Sequence, residues 1–414
     1  MKFNNLYAIS AMKKIWSIIF GFGSIVFITR YLGPSLKGEY SSVINIVSIT
    51  FVIFNFGIAN IYPNYKRKHE SFYLSTFLSL IMTMFIVFLL VSLVLFIFID
   101  DVAIRSILIL TQICMLSFQL NYLNLVENIR INAISYMSSS TINFFLSLIA
   151  FLFLDKNLII ALIIFGLKEF IIILINLMSL LRKFDFKKVK YDLWITLVLK
   201  GMVPMLTTLL VTLNYKVDLI ILNNFNIEYF LIGIYATGLA IAEYTWIVPD
   251  IFKDVLINKT AKSNSVNSLT FSIRASNSIL TIVFIGLLFI GKFFITLMFG
   301  IDFISSYAIT MIIFFGTFSM SYTKLIGTIY TANGKWTFYF LILFISVVIN
   351  LICNYITIPY MGIYGSALSS VCSYFFAGAA FLVRFKRDYN ISAKELLFLN
   401  KSDFMRIFKL IKKM

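Results

Sequence analysis

Long apolar segments separated by short polar loops run through this 414-residue chain. A bilayer core of about 30 Å is crossed by a helix of roughly 20 predominantly apolar residues. With 60% hydrophobic and only 13% charged residues, a soluble domain could not present a polar exterior. The sequence therefore predicts an all-α, polytopic membrane protein with twelve transmembrane spans, numbered 1 to 12, at 13–33, 40–63, 72–99, 104–127, 137–154, 157–181, 195–222, 229–252, 270–299, 303–332, 336–358 and 362–385.

The distribution of charge orients these spans. Most of the Lys and Arg residues lie in the N-terminal segment, in the even-numbered loops and in the C-terminal tail, whereas acidic residues border the odd-numbered loops. Positively charged loops stay on the cytoplasmic side, so both termini are predicted to be cytoplasmic. The net charge of +17 is thus a signal of topology, and no nucleic-acid partner is expected.

The two ends of the chain allow other interpretations. Lys13 and Lys14 before an apolar run resemble a signal peptide, but no small-residue cleavage site follows, so the segment is interpreted as span 1. From about Ser392 the tail alternates apolar and basic residues, which is typical of an interfacial helix on an anionic leaflet. A solvated tail is the alternative.

The sequence gives little support for an enzyme or for a metal site. The three cysteines, Cys114, Cys353 and Cys372, lie inside apolar runs without metal-ligand spacing, and are interpreted as core residues rather than a disulfide framework or zinc site. The single histidine, His69, lies in a basic loop. With short loops and no nucleotide-binding or nucleophile motif, a transporter without metal or cofactor is expected rather than an enzyme.

Similar residues recur at the corresponding starts and ends of spans in the two halves of the chain. Gly38-Glu39-Tyr40 opens span 2 and Gly233-Ile234-Tyr235 opens span 8, while Pro63 and Pro249 lie near the ends of these spans. Six spans per half insert in the same orientation, which predicts two parallel six-helix lobes around a central cavity. The predicted lobes are 1–190 and 191–385, followed by a basic cytoplasmic tail at 386–414.

Charged residues inside the spans are the candidate functional groups. A charge at the centre of a membrane helix costs about 2.5–3.5 kcal/mol on insertion scales, so it persists where it meets a partner or a water-filled cavity. The residues predicted to line a substrate lumen are Arg30, Lys168, Lys216, Asp218, Glu243 and Lys324. Glu169 follows Lys168 directly, and Glu127 and Arg130, spaced i,i+3, are interpreted as a helix-end salt bridge.

Uncharged polar residues form stripes at helical spacing on several spans. In span 7, Asn214 and Asp218 share a face, and in span 10 so do Thr317, Ser321 and Lys324. Further polar positions are Asn45, Asn55, Asn350 and Asn354. These stripes predict a hydrophilic lumen; the alternative is that the amides and hydroxyls only join helices by hydrogen bonds.

Several ordered motifs carry a family resemblance. Arg30-Tyr31-Leu32-Gly33-Pro34 with Gly38-Glu39-Tyr40 resembles the span 1–2 signature of bacterial polysaccharide repeat-unit flippases (Wzx-type), within the multidrug/oligosaccharidyl-lipid/polysaccharide exporter superfamily. The other matches, which extend the resemblance over about 13–385, are Lys216-Val217-Asp218-Leu219-Ile220, Gly233-Ile234-Tyr235-Ala236, Phe299-Gly300-Ile301-Asp302-Phe303, Thr331-Ala332-Asn333-Gly334-Lys335 and Pro359-Tyr360-Met361-Gly362-Ile363-Tyr364-Gly365.

The resemblance implies a transport function. It implies flipping of undecaprenyl-diphosphate-linked oligosaccharide across the bacterial inner membrane for O-antigen, lipopolysaccharide or capsule synthesis, through a two-lobe cavity with a cation-lined lumen. Lys168, Lys216 and Lys324 are the matching residue type, although the family more often has Arg at the position of Lys216. Expected partners are the lipid-linked oligosaccharide, membrane lipids, a polysaccharide polymerase and a chain-length regulator.

Three other functions stay open. An ion-coupled multidrug antiporter of the same superfamily would use Asp218 or Glu243 to bind H⁺ or Na⁺, and the coupling ion is not identified by the sequence. A non-transporting scaffold of a glycan-assembly complex would need no lumen. A peptidoglycan lipid II flippase is less favoured, because that family resembles a fourteen-helix design and this chain shows twelve spans.

Overall fold

Helices account for every regular element in the part of the chain that the computed structural model describes, namely residues 3–67, 72–260, 266–332, 335–400 and 403. Within these ranges the chain forms twelve α-helices, α1 to α12: Phe3–Phe54, Ile58–Lys66, Phe72–Phe98, Val102–Glu127, Ile129–Phe153, Leu158–Leu181, Trp194–Asn224, Tyr229–Tyr244, Ile247–Thr260, Val266–Phe299, Ser306–Ala332 and Trp336–Tyr389.

Two of these helices are long enough to cross a membrane twice. Ten helical segments of the described chain have the length and apolarity of a membrane span, and α1 and α12 are each interrupted by a glycine in non-helical conformation. Gly33 (φ 69°) and Gly362 (φ 54°) adopt positive φ values that side chains with a Cβ disfavour. Division at these two glycines gives twelve spans, so the prediction of a multi-pass, all-α membrane protein is confirmed.

The chain divides into two compact units, Met1–Lys216 and Val217–Met414, so α7 contributes to both. In the first unit, α1 packs against α5, and α4 packs against α6. In the second unit α11 is central, since it contacts α8, α9, α10 and α12. The predicted lobe boundary near residue 190 falls in the loop before α7 and stays a prediction. The predicted orientation in the membrane, with cytoplasmic termini, and the predicted central cavity also stay predictions.

Asparagine and aspartate side chains begin several helices of the first unit. Asp101 Oδ1 accepts a hydrogen bond of 2.9 Å from the backbone N–H of Ile104 at the start of α4. Asn128 caps α5 in the same way, and Asn157 Oδ1 accepts one of 2.8 Å from Ile159 at the start of α6. These side chains satisfy N–H groups that have no partner within the helix.

Two spans predicted as continuous are broken in the structure. Span 2 is interrupted at residues 55–57, where Asn55 Oδ1 accepts a 2.6 Å hydrogen bond from the N–H of Gly57 and Gly57 has φ 62°. Span 8 is interrupted at Thr245 and Trp246, so that Pro249 lies in the first turn of α9. A first turn tolerates proline because the missing N–H has no partner there.

The predicted Glu127–Arg130 salt bridge is wrong. The two residues lie on different helices, since α4 ends at Glu127 and α5 begins at Ile129. The Glu127 carboxylate instead binds Lys66 Nζ at 2.5 Å and Lys183 Nζ at 3.0 Å, and accepts a 2.6 Å hydrogen bond from the Tyr62 hydroxyl.

The C-terminal segment after α12 packs on the second unit. Leu396, in a 3₁₀ turn at Ala393–Leu396, is buried in a core cluster with Leu269 and Ile273 of α10. Arg274 binds Asp403 through two hydrogen bonds of 2.6 and 2.9 Å. The rest of the predicted interfacial tail lies outside the described residues, as do His69 and, within the Thr331–Lys335 motif, Asn333 and Gly334.

Candidate functional site

A carboxylate is enclosed inside the second unit at Asp218 on α7. Its side chain is 0% exposed. The Tyr235 hydroxyl on α8 donates a 2.7 Å hydrogen bond to Oδ2, Asn354 Nδ2 on α12 donates one of 2.9 Å to Oδ1, and the Ser370 hydroxyl also donates to Oδ2. No Lys or Arg of the described chain forms an ion pair with Asp218, so only neutral donors stabilise its charge.

Asn350 and Asn354 form a second layer around this carboxylate. They are spaced i,i+4 on the first half of α12 and therefore share a face. Asn350 Oδ1 accepts a 2.9 Å hydrogen bond from Asn354 Nδ2, and Asn350 Nδ2 lies 3.4 Å from the Ser373 hydroxyl. Because α12 breaks at Gly362, its second half returns along the first and brings Ser370 and Ser373 to this face.

One oxygen of this cluster has no hydrogen-bond donor. Asn354 Oδ1 is buried and lacks a hydrogen-bond partner within the described chain. Leaving a buried polar atom unpaired costs about 1–3 kcal/mol. A carboxylate beside uncommitted amide oxygen is the ligand type that small hard cations prefer, and it can also take up a proton. We name Asp218, Asn350, Asn354, Tyr235 and Ser370 the aspartate cluster.

Lys324 belongs to a separate cluster of the same unit. Its ammonium group lies 3.1 Å from both carboxylate oxygens of Asp250 on α9 and 4.7 Å from the ring centroid of Trp246. The Lys324 side chain is 13% exposed and that of Asp250 is 36% exposed. The pair is thus accessible mainly from the side of Asp250.

The first unit contains its own charged cluster, around Lys168 on α6. Lys168 Nζ lies 3.0 Å from the carboxylate of Glu169 and 5.4 Å from the ring centroid of Phe165. Glu169 also accepts a 2.6 Å hydrogen bond from the Ser117 hydroxyl on α4. Lys216 lies on α7, where its backbone carbonyl accepts a 2.7 Å hydrogen bond from Asn45 Nδ2.

The remaining predicted residues lie apart from these clusters or join helices. Arg30 lies over the ring of Phe151, at 6.0 Å, in the first unit. Asn55 closes the turn between α1 and α2, and Asn214 is buried on α7. In the second unit the Thr317 hydroxyl lies 3.5 Å from that of Thr245, Ser321 donates to Asn277 Oδ1 at 3.2 Å, and Glu243 is half-buried on α8.

Several residues of these clusters were not identified from the sequence. Tyr235 and Ser370 are ordinary tyrosine and serine residues of apolar spans, and they become significant only because they reach Asp218. Asp250 follows Pro249 near a predicted span end, where a carboxylate is unremarkable. Its opposite charge to Lys324, 74 positions away, was the one signal that could have suggested the pair.

Solved structures of membrane transporters share this fold. Comparisons with protein-family models and with curated protein sequences find no match. The lipid II flippase MurJ in an inward closed conformation matches with a TM-score of 0.67 and 15% sequence identity, covering 97% of this chain and 92% of that chain. An inward-facing MATE family multidrug resistance transporter of the MOP superfamily matches at 0.64 and 13%, covering 91% and 96%. The MATE multidrug transporter DinF-BH matches at 0.60 and 15%, covering 95% and 96%.

These similarities extend over nearly the whole chain. The protein therefore shares the fold of these transporter structures and is a multi-pass membrane protein. At 13–15% identity the similarity defines the fold and does not extend to a substrate.

Proposed function

We propose that this protein flips undecaprenyl-diphosphate-linked oligosaccharide repeat units from the cytoplasmic to the outer leaflet of the bacterial inner membrane. The polymer would be an O-antigen or capsular polysaccharide, and transport would proceed by alternating access. The observation that supports this most directly is the fold shared with the lipid II flippase MurJ over 97% of this chain. The ordered motifs from Arg30 to Gly365 favour the polysaccharide branch of the superfamily.

The substrate would meet lysines of both units. A diphosphate carries negative charge at every physiological pH, and ammonium groups bind phosphate oxygens by charge-assisted hydrogen bonds. Lys168, Lys216 and Lys324 are the proposed cationic contacts. Lys168 and Lys324 each have a carboxylate partner at about 3 Å, so a phosphate would compete with Glu169 or Asp250 for them.

The aspartate cluster would supply the coupling ion. Asp218 is fully buried without a cationic partner in the described structure, and a carboxylate in that environment gains free energy when a cation or proton joins it. We propose H⁺ or Na⁺ as the ion, and its binding would change the electrostatic balance of the second unit between the steps of transport.

The experiment is deletion of the gene in a strain with no other repeat-unit flippase. Lipid-linked repeat units should accumulate on the cytoplasmic side and surface polysaccharide should disappear. Complementation with Lys168→Met plus Lys324→Met should restore little polymer, whereas Lys292→Met, which changes an exposed lysine over the Tyr307 ring, should restore it fully. Normal surface polymer in the deletion strain would contradict the proposal.

Ion-coupled multidrug export is the second candidate, because MATE transporters share the fold and Asp218 could bind the exchanged ion. It predicts lower dye efflux and higher drug susceptibility in the deletion strain, with polysaccharide unchanged. A scaffold that carries no substrate would instead complement fully with the double lysine variant. A polysaccharide polymerase and a chain-length regulator are the proposed partners, to be sought by cross-linking.

A further inference from the structure

A lysine that lies outside the proposed lumen contacts is buried in the first unit. Lys37 is in the first turn of the α1 segment that follows the Gly33 break, and the residue is only 6% exposed. No carboxylate of the described chain forms an ion pair with it. Glu39, two positions along the same helix, projects to another side of that helix.

The surroundings of Lys37 add positive rather than negative charge. Its ammonium group lies 5.0 Å from the ring centroid of Tyr40, and its charged neighbour is Lys216. Tyr40 in turn has Lys168 as its charged neighbour. Glu169, the carboxylate next to Lys168 on α6, is bonded to Lys168 and to Ser117.

The backbone contributes in the same direction. Lys37 lies in the first turn of the helix that restarts after Gly33, at the end where the N–H groups have no partner within the helix and the helix dipole is positive. A helix N-terminus disfavours a cation and favours an anion. A cation–π contact with Tyr40 compensates only part of the cost of burying an ammonium group. A bound anion would offset both the cost of burying the Lys37 ammonium group and its repulsion by the helix N-terminus.

We infer that Lys37 binds a phosphate group of the transported lipid-linked substrate, as a contact additional to Lys168 and Lys216. The identity of the substrate rests on the proposed function, whereas anion binding by Lys37 can be measured without transport. On the predicted topology the loop between spans 1 and 2 is extracytoplasmic, so Lys37 would hold the phosphate near the outer end of its path.

The test uses the full-length protein purified in detergent, with inorganic pyrophosphate as the probe and thermal unfolding as the readout. Pyrophosphate should raise the Tm of the wild type, and this shift should be lost in Lys37→Met and largely kept in Lys37→Arg. Lys292→Met is the matched control, because it removes an exposed lysine that lies 5.8 Å from a tyrosine ring. It should keep the whole shift.

A second measurement excludes a folding defect. Without pyrophosphate, Lys37→Met should have a Tm at or above that of the wild type, because it removes an uncompensated buried charge. An equal pyrophosphate shift in Lys37→Met and wild type, or no shift in the wild type, would overturn the inference. If the shift depends on Lys37 but the deletion strain makes normal polysaccharide, the anion site stands and the proposed function fails.

Discussion

Replacement of Asp218 separates its structural role from its charge. Asp218→Asn keeps the shape of the side chain and one acceptor oxygen, and its new amide can donate to the Tyr235 and Ser370 hydroxyls, since each hydroxyl also has acceptor lone pairs. Asp218→Ala leaves two buried donors, Tyr235 and Ser370, without this acceptor, and Asn354 loses one of its acceptors but still donates to Asn350. The two variants should therefore differ in stability although both lack the charge.

The magnitude follows from the three hydrogen bonds. At an average of about 0.6 kcal/mol for a side-chain hydrogen bond between membrane helices, their loss costs about 2 kcal/mol. At about 1 kcal/mol for each buried donor left unpaired, the low end of that range, the cost for Tyr235 and Ser370 is also about 2 kcal/mol. We expect Asp218→Ala to be about 2 kcal/mol less stable than Asp218→Asn, which should lie close to the wild type.

Two assays check this reasoning. Unfolding of the purified protein in increasing SDS, followed by circular dichroism, gives the free-energy difference between the two variants. Substrate transport in proteoliposomes, with and without a Na⁺ or H⁺ gradient, should show loss of ion dependence in both. Equal stability of the two variants would refute the hydrogen-bond argument, and ion-dependent transport by Asp218→Asn would refute the coupling role.

Four further substitutions test the packing inside each unit. Glu127→Ala should lower the free energy of unfolding by about 1–2 kcal/mol in SDS titration, a discounted value because its two lysine partners are about half exposed. Gly201→Ala should lose more than about 2 kcal/mol, since its Cβ would overlap the carbonyl oxygen of Phe56, whereas Gly286→Ala, with open space around it, should be neutral or gain up to about 1 kcal/mol. Arg274→Lys should cost about 1 kcal/mol, because lysine cannot reproduce the bidentate contact with Asp403.

Each of these expectations has a result that contradicts it. Wild-type stability of Glu127→Ala would mean that the two lysines contribute nothing through this carboxylate. Equal behaviour of the two glycine variants would exclude the close approach of the helices at Gly201. If Arg274→Lys is as stable as the wild type, the bidentate geometry of the Arg274–Asp403 pair contributes nothing to stability.

The membrane spans and two of the helix breaks could be predicted from the sequence. The spans were found because apolar length is a local property, and the breaks at Gly33 and Gly362 were indicated by Gly33-Pro34 and by Pro359 with Gly362. The shared face of Asn350 and Asn354 also follows from spacing within one helix. The interruptions at residues 55–57 and 245–246 were not predicted, because the apolar pattern continues through them.

Contacts between helices were decided by the tertiary structure. Glu127 pairs with Lys66 and Lys183 rather than with Arg130, and Asp218 accepts hydrogen bonds from Tyr235 and Ser370. These partners are far apart in sequence. They lie side by side because of how each helix is rotated about its axis and which helices it packs against. A lipid-facing and a buried surface can be equally apolar, so hydropathy does not encode that rotation. The sequence thus determined which residues are embedded in the membrane, and packing determined which of their charges find a partner.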